Sequence, residues 1–418
     1  MASRLRVLVL GCSSVTTGEL TMAMELLSRC RRPLEVHALV GTSLAGLAKW
    51  YGARVHVYPT LGMGLAFAKI ENTVRTLRPD VILVADMLLM YGLSPEFAGR
   101  LSGLVPEALS ISRVVALDLY DFPRTALDVD IFGRPMLTQM PYIPAELGRV
   151  QPCPSLPPQR SVPGVGRYAM MDDAGPMPQY ARKQLRAELQ IGDGEAMVVI
   201  TTSTWQHRLA QHPEAGAVAT HFPALMYELL AQAARASRLV HVVHVGAMPL
   251  PPPDGTGLRY QHHASMPPDN FRRVLGAADL YLTPNCPAST TVRAMSLRVP
   301  VATLYASGAP PERGTGTPAG GALERYLDDT RGGFPFYLWP VGMHGMLEQV
   351  LLDNPFVDAQ RILDIHLPNR AVEEIATLLR GGAEVDALRG AEEELFGQLM
   401  SHVDSPDDAL ASALWERE

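Results

Sequence analysis

Runs of consecutive apolar residues recur along this chain, and each stops at a glycine or small polar residue before a stretch of helical spacing. Leu5-Arg-Val-Leu-Val-Leu10 ends at Gly11, and Glu19 to Cys30 then carries Leu20, Met24 and Leu27 on one helical face. Leu34 to Val40, Val55 to Tyr58, Asp80 to Ala85 and Val114 to Asp118 repeat the strand signal, with a helix expected over Leu65 to Leu77. Strands that are apolar on both faces and separated by helices belong in a parallel sheet covered on both sides. The same rhythm returns after residue 175, in Ala196 to Thr201, Leu239 to Gly246, Leu280 to Thr283 and Pro300 to Tyr305. Helices are expected over Ala181 to Leu189, after His221 and over Thr290 to Arg298. At 418 residues the chain exceeds one ordinary core, so two domains follow.

Between Phe122 and Gly175 the rhythm fades. Prolines 135, 141, 144, 152, 154, 157, 158 and 163 argue against long helices and central strands, because proline cannot donate to a ladder. The expected division is therefore residues 1–175, 176–395 and a helical tail 396–418. Phe334 to Trp339 reads as a strand, Gly342 to Leu352 as a helix, and the Gly- and Pro-rich Ser307 to Gly321 as a loop beside a ligand site.

Composition removes several function classes. A net charge of −7 leaves no basic excess to neutralise nucleic-acid phosphates. Met1 to Leu10 is too short for a signal or a membrane span, so a cytoplasmic protein with reduced Cys12, Cys30, Cys153 and Cys286 is expected. The histidines show no zinc-ligand spacing. His241 and His244 break the Val pattern of their strand, with one expected inward and one outward, both structural. No dinucleotide fingerprint, P-loop or nucleophile elbow is present, since Gly11 and Gly18 stand seven apart.

The segment from Ala278 to Tyr305 carries the most information. Asp279 follows a helix, a strand leads to Pro284-Asn-Cys-Pro-Ala-Ser289, and a helix starts at Thr290. A small-residue loop running into a helix presents unpaired N–H groups at the positive end of the dipole, a place for a diphosphate. The bland alternative is ordinary N-capping by Ser289 or Thr290. Ala278-Asp279, Ala288-Ser-Thr-Thr291, Arg293-Ala-Met295 and Arg298-Val-Pro300, in this order, resemble the C-terminal domain of GT-B glycosyltransferases of the macrolide type.

That resemblance implies an α/β fold with two Rossmann-like doubly wound domains facing across a cleft, the first for an acceptor and the second for a nucleotide donor. It implies transfer of a sugar from a nucleotide diphosphate to a small-molecule or peptide acceptor of secondary metabolism. No metal and no cofactor are expected, the nucleotide sugar being a co-substrate; a second copy of the chain is an optional partner. The donor set it implies is Ser203, Thr204, Asn285, Ser289, Thr290, Thr291 and Arg293, with Met266 and Pro267 on the base side. The family's His-Gly-Gly is here Pro284-Asn-Cys286, and its ribose-binding Glu is Arg293, which cannot accept hydroxyl protons. Its N-terminal His has no counterpart, so the candidate bases are Glu19 and Asp118, with Asp86 and Asp121 behind them at strand ends. These departures keep a second expectation open: a GT-B-like binding or accessory protein, or an epimerase or hydrolase of nucleotide sugars.

Overall fold

The structure is a computed structural model that describes residues 4–11, 17–58, 63–86, 112–119, 129–131, 134–137, 147–153, 163–171, 175–203, 216–285, 288–305, 321, 325 and 353–414. The chain separates into two units, Met1–Asp128 with Leu137–Asp172 and Gln398–Glu418, and Val129–Met136 with Asp173–Gly397.

In the first unit, strands β1 (Leu5–Gly11), β2 (Leu34–Gly41), β3 (Arg54–Tyr58), β4 (Val81–Val84) and β5 (Arg113–Leu117) join two further strands described below. Helices α1 (Gly18–Arg29), α2 (Ala45–Trp50) and α3 (Met63–Leu77) connect the earlier strands. Val7, Leu8 and Val9 have no exposure, as the unbroken apolar run requires of a strand covered on both faces. β6 (Val129–Ile131) and β7 (Arg134–Leu137), which fall in the second unit apart from Leu137, form a two-stranded sheet.

The proline-rich segment departs from expectation. It supplies β8 (Gly148–Cys153) and β9 (Val165–Ala169), completing a seven-stranded parallel sheet in the order β3-β2-β1-β4-β5-β8-β9. Pro152 therefore lies in an interior strand. It is tolerated because β8 pairs with β5 only from Gly148 to Val150, so Pro152 sits on the overhang, where no donor toward β5 is needed.

The second unit repeats the logic with β10 (Ala196–Thr202), β11 (Val240–Gly246), β12 (Arg259–His263), β13 (Leu280–Thr283), β14 (Val301–Tyr305) and β15 (Arg361–Asp364). Their order, β12-β11-β10-β13-β14-β15, is parallel throughout. The helices are α4 (Gln179–Glu188), α5 (Gly216–Arg235), α6 (Pro268–Gly276), α7 (Ser289–Ser296), α8 (Pro355–Asp358), α9 (Pro368–Arg380) and α10 (Ala383–Met400). α5 begins five residues before His221, the start read from the sequence. One face of the sheet, with Val198, Ile200, Leu280, Leu282, Ala302 and Leu304, forms a core with α5 and α9. The other carries Val199, Thr201, Tyr281 and Thr283, and α7 packs on β13 and β14 there.

The last helix, α11 (Pro406–Ala413), belongs to the first unit and lies on β8 and β9. A Cβ on Gly148 would collide with the Ala413 carbonyl, and one on Gly166 with that of Ala409. The helix is tied at its start: Ser405 caps it, and Asp407 accepts from the N–H groups of Arg31 (2.7 Å) and Arg32 (3.2 Å). Among the described residues no helix is long and apolar enough to cross a membrane. The expectations for Phe334 to Trp339, Gly342 to Leu352 and nearly all of Ser307 to Gly321 lie outside the described residues.

Candidate functional site

In each sheet the chain builds outward on one side of its first strand and then crosses to the other, so the crevice opens between β1 and β4 and between β10 and β13. Ligands of open α/β sheets gather at the carboxyl ends of the strands flanking such a crossing. In the second unit this address is occupied by Ser203 after β10, Asn285 after β13 and the start of α7.

The local geometry of α7 decides against simple capping. Its N-cap is Ala288, in extended conformation (φ −103°, ψ 149°), and no side chain among the described residues caps it. The first turn, Ser289 to Thr291, thus presents its N–H groups with neither Ser289 nor Thr290 in the capping position. Beside it, Asn285 is 8% exposed and its Oδ1 is buried with no hydrogen-bond partner among the described residues. A buried amide oxygen left unmatched costs about 1–3 kcal/mol, which marks it as a group that a ligand could satisfy. The Asn285 backbone is fixed on both sides: its N–H donates to Thr283 Oγ1 (3.0 Å), and its carbonyl accepts from Thr291 Oγ1 (3.2 Å).

That last bond changes the expected role of Thr291. Its side chain has no exposure and its hydroxyl proton is committed to the loop. Behind the helix start, the buried Tyr281 hydroxyl lies 2.8 Å from Thr201 Oγ1. Thr291 thus fixes the loop at the helix start, while Ser289 and Thr290 are half-buried in the first turn. Arg293 is buried and engaged within the protein. Tyr281, Thr201 and Thr283 were not singled out from the sequence. Their signal lies in the register, which sets Tyr281 against Val199 and so brings Thr201 onto the same face.

The neighbouring strand ends form a second polar layer. His244, with no exposure, lies 2.7 Å from Thr202 Oγ1 through Nε2 and 2.8 Å from Tyr260 through Nδ1. The Leu250 N–H donates to the Tyr260 oxygen (2.8 Å), which directs the phenolic hydrogen to Nδ1. The imidazole then carries its proton on Nε2 and donates to Thr202. His262 Nε2 donates to the Gly246 carbonyl at 2.8 Å. His241 is also buried, at 8% exposure, so both strand histidines lie inside, on opposite faces, rather than one in and one out. Desolvation holds His241 below the usual imidazole range. Met266 is half-buried and Pro267 exposed, in the turn before α6, whose N-cap is Pro267.

At the opposite end of this sheet, Asp279 accepts from Arg182 (2.6 Å), Arg186 (2.8 Å) and the Met197 N–H (2.7 Å), with Arg238 at 3.2 Å. Burial opposes its charge, yet the Met197 N–H and these guanidiniums hold the carboxyl below its usual range. This part of the motif is a structural clamp.

In the first unit the two proposed bases part company. Asp118 has no exposure, and its Oδ2 accepts from Arg149 (2.9 Å) and Gln151 (3.2 Å). Gln151 in turn accepts from Arg167 at 3.1 Å. A carboxylate enclosed by these donors braces β5 against β8 and is not placed to take a proton from a bound acceptor. Glu19 is half-exposed in the first turn of α1, an address that also suits the helix dipole. Asp86, at the end of β4, is 3% exposed. Thr204 and Asp121 lie outside the described residues, as do Cys12 and Cys286. Cys30 and Cys153 are free thiols, and burial pushes both up to about 12. No cluster of metal-ligating side chains occurs among the described residues.

Residues 30–416 match the family described as "Family of unknown function (DUF6365)". The chain belongs to the DUF6365 family. No curated protein matches it. Solved structures give it a fold: the spinosyn rhamnosyltransferase SpnG is 16% identical, with a TM-score of 0.52 over 98% of this chain and 100% of that one. The same enzyme complexed with thymidine diphosphate gives a TM-score of 0.53 at 16% identity and the same coverage. The calicheamicin glycosyltransferase CalG4 is 16% identical, with a TM-score of 0.50 over 99% of this chain and 98% of that one. This DUF6365 chain therefore has the two-domain, Rossmann-like GT-B fold of antibiotic glycosyltransferases, as the motif order from Ala278 to Pro300 implies.

Proposed function

We propose that this DUF6365 chain is a glycosyltransferase that holds the diphosphate of a nucleotide sugar at the start of α7 and passes the sugar to a small-molecule or peptide acceptor. The observation that carries the reading is the uncapped first turn of α7 beside the unmatched Asn285 Oδ1, at the crossing point of the second sheet. Negative charge grows on the departing diphosphate during transfer, and preorganised amide donors stabilise it without a metal. Ser289 supplies a hydroxyl at the same turn, and Ser203 lies at the end of the adjacent strand. Arg293 stands where the related enzymes use a ribose-binding carboxylate, so ribose recognition falls to other groups. Glu19 is the base for the acceptor hydroxyl, as Asp118 is enclosed by Arg149 and Gln151.

The direct test is calorimetric titration of the whole chain with thymidine, uridine and guanosine diphosphates. One of them is expected to bind in the micromolar range, and replacing Thr290 and Thr291 together by valine should weaken it at least about tenfold, because Thr291 holds the Asn285 loop and Thr290 brings a hydroxyl to the same turn. Absence of binding by all three would remove the donor reading. The enclosure of Asp118 specifically favours a second reading, a nucleotide-sugar-binding protein without transfer. A Glu19→Gln variant separates the two: under the first reading it binds the donor normally and loses transfer.

A further inference from the structure

On the free edge of the first sheet, a carboxylate and two imidazoles stand in line. His37 of β2, 4% exposed, has its Nε2 3.2 Å from Glu35 Oε1 and its Nδ1 2.9 Å from Nε2 of the half-buried His56 on β3. The two rings stack, with centroids 5.2 Å apart and planes 19° from parallel. Glu35 also accepts from Arg54 at 2.8 Å and lies 3.5 Å from Arg6, whose Nη1 donates to the Leu77 carbonyl at the end of α3. The hydrogen bond from His37, with Arg54 and Arg6 behind it, holds the Glu35 carboxyl below its usual range despite desolvation. An ionised carboxylate only accepts, so His37 carries its proton on Nε2 and offers Nδ1 as the acceptor for the His56 Nε2–H.

We propose that this line is an acid-released clasp for the sheet edge: a single hydrogen between the rings of His37 and His56 holds β3 to β2, and a second proton on the pair opens it. One added proton is tolerated, since either ring can carry it while one hydrogen still lies between the facing nitrogens. With both rings protonated, two N–H groups would face each other across 2.9 Å, and both rings would be cations. The charged groups around the pair are the Glu35 carboxylate of β2 and three cations, Arg6 of β1, Arg54 of β3 and Lys69 of α3. Desolvation, then His37 and Lys69, hold His56 below the usual imidazole range. The folded chain thus resists protons that the unfolded chain accepts below about pH 6.5, and the contact weakens as the pH falls. β3 depends on this contact more than an inner strand would. It pairs on one side only, with β2, and Tyr58 alone of its five residues is fully buried. Opening the clasp frees this edge strand together with the side of α3 that packs on it. The clasp is independent of the donor site.

The experiment follows amide exchange of the whole chain at about pH 7.5 and about pH 5, corrected for the intrinsic rate at each pH, beside an NMR titration of its labelled histidine side chains. Between these two conditions, protection in the peptide covering residues 54–58 is expected to fall about tenfold more than in the one covering β4 of the same sheet. The two rings should take up their protons in two separated steps. His56→Gln is expected to remove the acid loss, because its amide can turn to present either an N–H or an oxygen to His37. Equal losses in β3 and β4, the mark of general acid unfolding, would overturn the inference. So would an acid loss that survives in His56→Gln, or two imidazoles that titrate together as exposed side chains do. Should His56→Gln fail to fold, the exchange and the titration of wild type decide alone.

Discussion

Glu392 shows how far a single residue can depart from its ordinary chemistry. It lies on α10 with no exposure, and neither carboxyl oxygen has a hydrogen-bond partner among the described residues. Burial pushes its pKa up to about 9, against a weaker opposing pull from Arg298 and Arg389. The folded state thus binds a proton that the unfolded state releases near 4.5. Its contribution to stability is complete below that pH and is lost as the pH climbs toward about 9. Melting temperatures measured from pH 6 to 9 should therefore fall, and Glu392→Leu should raise them by several degrees and flatten the slope; an unchanged slope would show that the carboxyl is solvated. Asp279 has the opposite sign. Held below its usual range, it stabilises above about pH 4, and that contribution disappears as the carboxyl protonates in acid. Asp279→Ala strands three guanidiniums against the sheet, and a loss of about 3–5 kcal/mol is expected in denaturant unfolding at neutral pH.

Among the elements, close approach sets the sharpest constraints. Gly246 ends β11 where a Cβ would collide with Thr202 Oγ1 and lie 3.0 Å from His244 Nε2. Gly246→Ala is expected to break the Thr202–His244–Tyr260 bonds and cost roughly 1–3 kcal/mol, seen as a lower midpoint in urea. The sequence made most of these elements readable, because a strand covered on both faces must be an unbroken apolar run, as in Val81 to Val84. The strands around Pro152 and Tyr168 were hidden, since proline reads as a breaker and only the short overlap with β5 makes it harmless. The candidate site was readable to the same degree. The loop and helix start follow from small residues and spacing, and Ser289 keeps its expected address. The commitment of Thr291 to the Asn285 carbonyl and the enclosure of Asp118 depend on how loop and strands pack, which no local pattern encodes.

At the scale of the molecule, the first unit is assembled from both ends of the sequence, since Gln398–Glu418 join Met1–Asp128 and Leu137–Asp172. α11 covers β8 and β9 through contacts that Gly148 and Gly166 alone permit. Removing residues 404–418 is expected to unfold the first unit at a lower temperature while leaving nucleotide binding by the second. Calorimetry should then show two transitions, and a single unshifted one would refute this division. Gly166→Ala should reproduce the effect in milder form.

The pairing of Asp407 with the backbone of Arg31 and Arg32 spans more than 370 residues, and it sets an order of events during synthesis. The N-terminal strands emerge well before the helix that covers their outer neighbours. β8 and β9 must wait, uncovered, while the whole second unit is made and folds. Nascent chains of this protein are therefore expected to carry an exposed apolar sheet face until α11 emerges, and to need a holding chaperone for that interval.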